Sequence, residues 1–379
     1  MKQVALLIET SNAYARGLLR GIVSYMREFQ PWSLHLTEHG RGDHPPAWIE
    51  RWRGDGIIAR VETPSVAEAL RKVRTPVVDV SAARLLPNLP WFETDDVAIA
   101  RIAFQHLHSR GFKRFAFCGD PRFNWSNWRS EHFAEAARAE DAPCFIYKPS
   151  VDLSRDDTQH VEDIARWLKK LPKPIGVMAA YDYRGQQLLD ACRRISIAVP
   201  NDVAVIGVDN DELLCELAYP PMTSVILNPE RTGYEAAALL ESLMAGHPPR
   251  GEAHLIPPLG VQTRQSTDVL AVDDPHVARA LSFIRDHACE GITIPDVLRV
   301  VPQARRLLER RFQKILGRTP HDEILRVQLD RVKTLLAQTD LPLTEIAARA
   351  GFKHVEYLSV VFKKHVGQPP SRYRAEHRK

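Results

Sequence analysis

The side chains best suited to chemistry fall into two sets. The first set follows the ends of short apolar runs. Ser11, Asn12, Tyr14 and Arg16 follow the run at 4–9, and Asp95 and Asp96 follow Phe92, Glu93 and Thr94. Trp125, Trp128 and Arg129 come after the run at 115–118, Asp182 after 177–181, and Asp209 and Asn210 after 205–208. Carboxylate and guanidinium groups can each hold two neighbouring hydroxyls at once, and an indole face suits the C–H side of a pyranose. Ser11, Asn12, Tyr14, Arg16, Asp95, Trp128, Arg129, Asp182 and Asp209 are therefore the candidate ligand-binding residues, and a small sugar is the ligand they suit. Each has a plainer role open to it. Asp95, Asp182 and Asp209 stand where helices begin and could serve as N-caps alone. Tyr14 and Trp128 could be core aromatics, and Arg16 a surface cation.

The second set is basic and repeats. Leu308, Phe312, Lys314, Gly317 and Pro320 recur fifty positions later as Leu358, Phe362, Lys364, Gly367 and Pro370. Each copy closes two short helices joined by a tight turn. In the first copy Arg305, Arg306, Arg310 and Arg311 crowd the second helix, whose apolar face is Leu308, Phe312 and Ile315. In the second copy Tyr357, Leu358, Val361 and Phe362 are expected inward, leaving Lys353, His354 and Glu356 at the exposed N-terminal end. That end of such a helix meets base edges, while Lys363, Lys364, Arg372 and Arg374 suit phosphates. Arg305, Arg306, Arg310, Lys353, His354, Lys363, Lys364 and Arg372 are the candidate DNA-binding residues. A helix at 321–336 joins the copies and, with its turns, would set them about one DNA turn apart, roughly 34 Å.

The elements that must position the first set alternate in type. Strands are expected at 4–9, 33–36, 56–61, 76–80, 114–119, 144–147, 175–179 and 203–208. Helices are expected between them at 15–29, 66–73, 97–110, 129–140, 158–171, 184–195 and 230–244. Continuously apolar strands alternating with helices predict parallel sheets buried on both faces. The expectation is a two-lobed α/β domain over 1–264, crossing between lobes near 118–120 and returning near 227–230. A polar linker over 265–275, carrying Asp268, Asp273 and Asp274, leads to an all-α domain over 276–379 with two helix-turn-helix units.

Charge follows the same division. From His276 onward there are 20 lysines and arginines against 11 acids, whereas the preceding part has 31 against 36. A basic tail on an acidic body fits a polyanion reader joined to a sensor. The five cysteines are scattered, without metal-ligand spacing, so no cofactor, metal or disulfide is expected and a reducing, cytoplasmic setting is. No apolar run approaches the roughly 20 residues needed to cross a membrane. An α/β enzyme with a helical appendage is disfavoured, because the G-x-S-x-G and G-x-G-x-x-G loops are absent.

Several of these stretches resemble known families. Residues 280–375 resemble the AraC/XylS-type regulator domain, through Glu345-Ile346-Ala347 to Gly351-Phe352, the run 357–364, and the run 367–374. Ala304 stands where that family often has a serine, so the first unit is expected to hold backbone more than to read bases. The body resembles the periplasmic-binding-protein-like sensor of LacI-type regulators, through Thr94-Asp95, the spacing of Arg129 to Phe133, Asp182, and Gly207-Val208-Asp209. The two joined in this order, with the runs 8–17, 205–212, 264–268 and 284–289, are similar to xylose-responsive regulators of pentose catabolism. That resemblance implies D-xylose as the ligand; the alternative is the same architecture sensing a different pentose or other small sugar, such as a phosphosugar. It also implies a homodimer on promoter DNA acting as an activator, with RNA polymerase as a further partner.

Overall fold

The computed structural model describes residues 1–29, 31–38, 40, 44–149, 157–247, 254–268 and 274–377. It divides into two compact units, Met1–Val269 and Leu270–Lys379. Among the described residues the first unit holds three sheets, of four, six and two strands, parallel in all but one strand. Its elements are β1 (Gln3–Leu7), α1 (Ala13–Glu28), β2 (Ser33–Leu36), β3 (Gly56–Ala59), α2 (Pro64–Arg71), β4 (Val77–Asp79) and β5 (Phe92–Thr94). There follow α3 (Asp96–His108), β6 (Phe115–Cys118), α4 (Asn124–Ala139), β7 (Cys144–Ile146), α5 (Asp157–Lys170), β8 (Ile175–Ala179) and α6 (Asp182–Arg194). The unit closes with β9 (Val203–Asp209), α7 (Glu212–Leu217), β10 (Thr223–Ile226), α8 (Pro229–Met244), β11 (His254–Ile256) and β12 (Gly260–Gln262).

The first lobe is built on the order β2-β1-β3-β4, and the second on β12-β10-β9-β8-β6-β7, with only β12 antiparallel. All eight predicted strands form. β2 departs from expectation: all four of its residues are exposed, because it is an edge strand. Four short strands, β5 and β10 to β12, went unpredicted. Missing β5 also misplaced the first crossing. β5 pairs with β11 in the first lobe, whereas α3 packs on α4 and β8 in the second. The chain therefore crosses at Thr94–Asp96, not at 118–120. It returns after β10, where α8 packs along α1, and crosses a third time between β11 and β12. The α1–α8 contact needs glycine at Gly233, whose added Cβ would lie 2.0 Å from the Leu18 carbonyl oxygen.

Asp79 fixes the mouth of the first sheet. It is 1% exposed and accepts hydrogen bonds from the amides of Val61 (3.2 Å) and Ser81 (2.9 Å), the residues that follow β3 and β4. Burial pushes its carboxyl up to about 7, against the pull of those donors.

The expected linker is shorter than the sequence suggested. Gln265–Thr267 forms a turn of 3-10 helix with Ser266 and Thr267 fully buried. The Ser266 hydroxyl accepts from Thr223 N (2.8 Å) and donates to Val205 O (2.6 Å), which stitches this stretch to β9 and β10. Polar residues at 264–268 read as linker because each hydroxyl finds a buried partner that no local pattern reveals. At the other end Asp274 caps the next helix. The centre of the expected linker, 269–273, lies outside the described residues.

The second unit is helical: α9 (Pro275–His287), α10 (Ile294–Val300), α11 (Arg305–Leu316), α12 (Pro320–Gln338), α13 (Leu343–Arg349), α14 (Val355–Val366) and α15 (Pro370–His377). Two small cores share α12. Ile324 joins Val297, Leu308 and Phe312, while Leu325, Leu329 and Val332 join Ile346, Leu358 and Phe362. Between the cores the buried Gln328 amide donates to the carbonyls of Ala288 (2.9 Å) and Gly351 (3.4 Å). Gly351 has φ +79°, and a Cβ there would lie 2.8 Å from Ala288 O.

Two outcomes follow. Gly351→Ala should destabilise the second unit by about 2 kcal/mol or more, from strain and overpacking together. Urea unfolding followed by circular dichroism measures this, and a variant as stable as the parent contradicts the packing. Asp79 takes up a proton on folding, so its contribution to stability is full below about pH 4 and is lost as pH rises toward 7. The slope is at most about 1.4 kcal/mol per pH unit. Asp79→Asn should flatten that part of the stability profile, and an unchanged profile would remove Asp79 as its source.

Candidate functional site

The strand ends of the first unit surround a cleft, as parallel sheets generally arrange. One hollow of about 460 Å³ is lined by Ser11, Asn12, Tyr14, Glu62, Thr63, Arg122, Phe123, Tyr181, Asp182, Tyr183, Asp209, Asp211 and Leu214, with Ala13. A smaller one, about 40 Å³, shares Tyr14 and Asp209 and adds Arg60, Val80, Ser81, Ala82, Glu93, Thr94, Trp125, Arg129 and Leu227. The polar lining side chains come from the last residues of strands, the loops that follow them, or the first turns of helices.

Arg129 organises the second lobe's side. It is 4% exposed, and its guanidinium donates to Asp96 Oδ1 (2.7 Å), Ala180 O (2.7 Å) and Thr94 Oγ1 (3.2 Å). Burial holds the Asp96 carboxyl above the usual range and Arg129 opposes that shift. The Arg129 guanidinium also lies over the Trp125 ring, 5.0 Å from its centroid. Trp125 in turn meets Tyr181 edge to face at 5.4 Å, which gives the cleft an aromatic wall.

Asp182 is 1% exposed. It accepts from Ser224 Oγ (2.6 Å), Asp211 N (2.7 Å) and Cys215 Sγ (3.5 Å). Burial first, then the charge of Asp209, raises its carboxyl well above the ordinary value. Asp209 sits at φ +112° and Asn210 at φ +51°. Asn210 is turned from the cleft, since Arg264 Nη1 donates to its Oδ1 at 2.9 Å. On the first lobe's side Arg60 is buried between Glu9 and Glu62, 5.3 Å over the Tyr14 ring. The cleft thus alternates carboxylates, guanidinium groups and hydroxyls against aromatic faces. Such a lining can fix an uncharged polyol from several sides.

Ser11, Asn12, Tyr14, Arg129, Asp182 and Asp209 all reach this cleft. Asn12 also caps α1 through Ala15 N. Asp182 caps nothing by its side chain, contrary to the plainer reading, because its oxygens face β10 and α7. Three candidates stand elsewhere. Arg16 is exposed and donates to Thr10 O (3.0 Å). Asp95 caps α3 by accepting from Ala98 N (2.9 Å), and it is the next residue, Asp96, that meets Arg129. Trp128 lies under the Arg84 guanidinium at 4.3 Å, outside the lining. It is displaced because α4 begins at Asn124 rather than at 129, which sets Trp125 and Arg129 on one face and Trp128 on another. Arg60, Ser81 and Glu93 were missed. The strand-end rule could have found Arg60, but extending that strand to residue 61 hid its end.

In the second unit Arg305, Arg306, Arg310, Lys353, His354, Lys363, Lys364 and Arg372 are all exposed. Arg305 pairs with Glu309 and Arg372 with Glu376, one turn along each helix. Arg311 and Arg374 are spent inside the unit instead, on the Asp274 carboxylate (2.9 Å) and on Leu341 O (2.5 Å). Tyr357 and Ile315, expected inward, are 52% and 37% exposed. The buried stripe is Leu358, Val361 and Phe362, and Tyr357 only leans on Phe352 with ring centroids 6.2 Å apart. Glycines at left-handed φ, Gly317 and Gly367, end both second helices.

Three domain families match successive parts of the chain. They are a XylR N-terminal domain over residues 3–97, a periplasmic binding protein-like domain over 104–267 and a helix-turn-helix domain over 300–376. The xylose operon regulatory protein of Escherichia coli (strain K12) is 33% identical over 381 residues, covering 98% of this chain and 96% of its own. That of Haemophilus influenzae is 32% identical, covering 98% of each. The solved structure of the xylose-binding transcription activator xylR superposes with a TM-score of 0.83 at 32% identity, over 100% of this chain and 99% of that one. A periplasmic binding protein/LacI transcriptional regulator from Alkaliphilus metalliredigens, complexed with D-xylulofuranose, shares the fold of the first unit at 21% identity, TM-score 0.56, over 70% of this chain and 99% of its own. Among the described residues no helix is long and apolar enough to cross a membrane. With a sensor-like unit, a helix-turn-helix unit and matches running end to end, the chain belongs to the xylose operon regulatory protein family, whose members are DNA-binding transcription regulators and not enzymes.

Proposed function

We propose that D-xylose is the ligand of the cleft, and that its binding switches a cytoplasmic homodimer to activate xylose-catabolism promoters with RNA polymerase as a further partner. The observation that carries this reading is the cleft lining. Tyr14, Arg129 and Asp209 offer a phenol, a guanidinium and a carboxylate beside the Trp125 indole, in a hollow shared by both lobes. A pentose presents hydroxyls to such groups and a C–H face to the indole. Phosphosugars suit it poorly, because the lining is rich in carboxyl groups, Glu93, Asp182 and Asp209, and among the described residues no glycine-rich turn offers amides to a phosphate. Ser11 and Asn12 stand at the rim, and Asp182 holds the Asp209 corner in place.

On the DNA side, Lys363, Lys364 and Arg372 are phosphate contacts, with Lys353 and His354 at the leading end of α14. A ligand shifts the DNA-binding equilibrium only as far as its affinities for the two arrangements differ. The protein should therefore bind promoter DNA with different affinity or footprint in saturating xylose. Asp209→Ala should weaken xylose binding by ~10-fold or more, about 1.4 kcal/mol, while sugar-free DNA affinity stays unchanged. Calorimetry across D-xylose, L-arabinose and D-ribose checks the sugar, and tighter binding of another pentose would replace xylose as the ligand. An unchanged footprint with bound xylose would sink the switch.

A further inference from the structure

The repeat places the two recognition helices in one register. Leu308 and Phe312 on α11, and Leu358 and Phe362 on α14, are the matching buried anchors, each at most 1% exposed. Counted from these anchors, the outward ridge at spacing i, i+4, i+7 is Arg306, Arg310 and Gln313 on α11, and Glu356, Val360 and Lys363 on α14, all exposed. Equivalent positions thus carry opposite chemistry. Arg306 answers to Glu356, and Arg310 to Val360. Their neighbours on α11 are committed, Arg305 to Glu309 and Arg311 to Asp274. Among the described residues Arg306 and Arg310 hold no ion pair. Val360 is 68% exposed in the middle of a charged ridge, where packing gives it nothing.

Base edges discriminate between these side chains. A guanidinium fork matches the two acceptors of guanine, a carboxylate accepts from cytosine, and a small apolar group packs on the thymine methyl. We propose that the two units read bases of different kind. Arg306 and Arg310 select guanine under the first unit, and Val360 selects thymine under the second, with Glu356 beside it on cytosine. The first unit is then a reader of bases in its own right, although Ala304 gives its helix no side-chain cap.

The test is selection of bound duplexes from a randomised pool by the full-length protein, with and without D-xylose, followed by affinity measurements on the winning site. The parent should enrich guanine in one half of the site and thymine in the other. Arg310→Ala should lose ~10–100-fold on that site and relax only the guanine position. Arg310→Lys keeps the charge and loses the fork, so it should relax the same position while leaving the salt dependence unchanged. Val360→Ala should relax only the thymine position. Both residues are exposed, so binding to random-sequence DNA should persist in each variant, which also reports folding. If Arg310→Ala lowers affinity for every sequence by one factor, the arginine holds phosphate and the proposal fails. It fails equally if base preferences survive Val360→Ala and Arg310→Lys unaltered.

Discussion

The cleft depends on the Arg129–Asp96 ion pair. Both groups are buried, and a buried charge without a partner costs several kcal/mol. Each is therefore obliged to keep the other. The guanidinium also takes Thr94 Oγ1 and Ala180 O, so one side chain on α4 joins the first crossing between lobes to the loop after β8. These are the segments that bring Thr94, Trp125 and Tyr181 into one wall. The same logic holds on the far side, where Ser224, Asp211 and Cys215 satisfy Asp182 and so fix the corner that carries Asp209.

That corner is connected to the end of the first unit by short polar steps. Asn210 accepts from Arg264, whose backbone N donates to Thr223 Oγ1 (2.8 Å). Thr223 Oγ1 in turn lies 2.8 Å from Thr267 Oγ1, and Thr267 Oγ1 lies 2.8 Å from His106 Nε2. Burial pushes His106 down to about 3, so it stays neutral within this chain of contacts at ordinary pH. Residues 264–268 are thus an anchored part of the sensor, tied to strands whose ends line the cleft. The second unit has its own version of this economy, with Gln328 satisfying carbonyls from both of its halves.

Much of this was legible in the sequence, because apolar periodicity states burial directly. Val4 to Leu7, Phe115 to Cys118 and Val203 to Val208 are buried strands and read as such. The repeat gave both helix-turn-helix units through their anchors and glycines. What escaped was decided by tertiary pairing. β5 is three residues long and exists through its partner β11, so the crossing it governs could not be placed. Ser266 and Thr267 look like linker until β9 and β10 are beside them. Asp95 and Asp96 differ by one position, and only the helix start determines which caps and which meets Arg129. Trp128 was lost in the same way, when α4 began a turn earlier than its polar first residues suggested.

A structure of the full-length chain with D-xylose tests the central claim most directly. Sugar density is expected between Trp125 and Tyr14, with hydroxyls on Arg129 and Asp209. An empty cleft at saturating xylose, or sugar bound away from these residues, would contradict it.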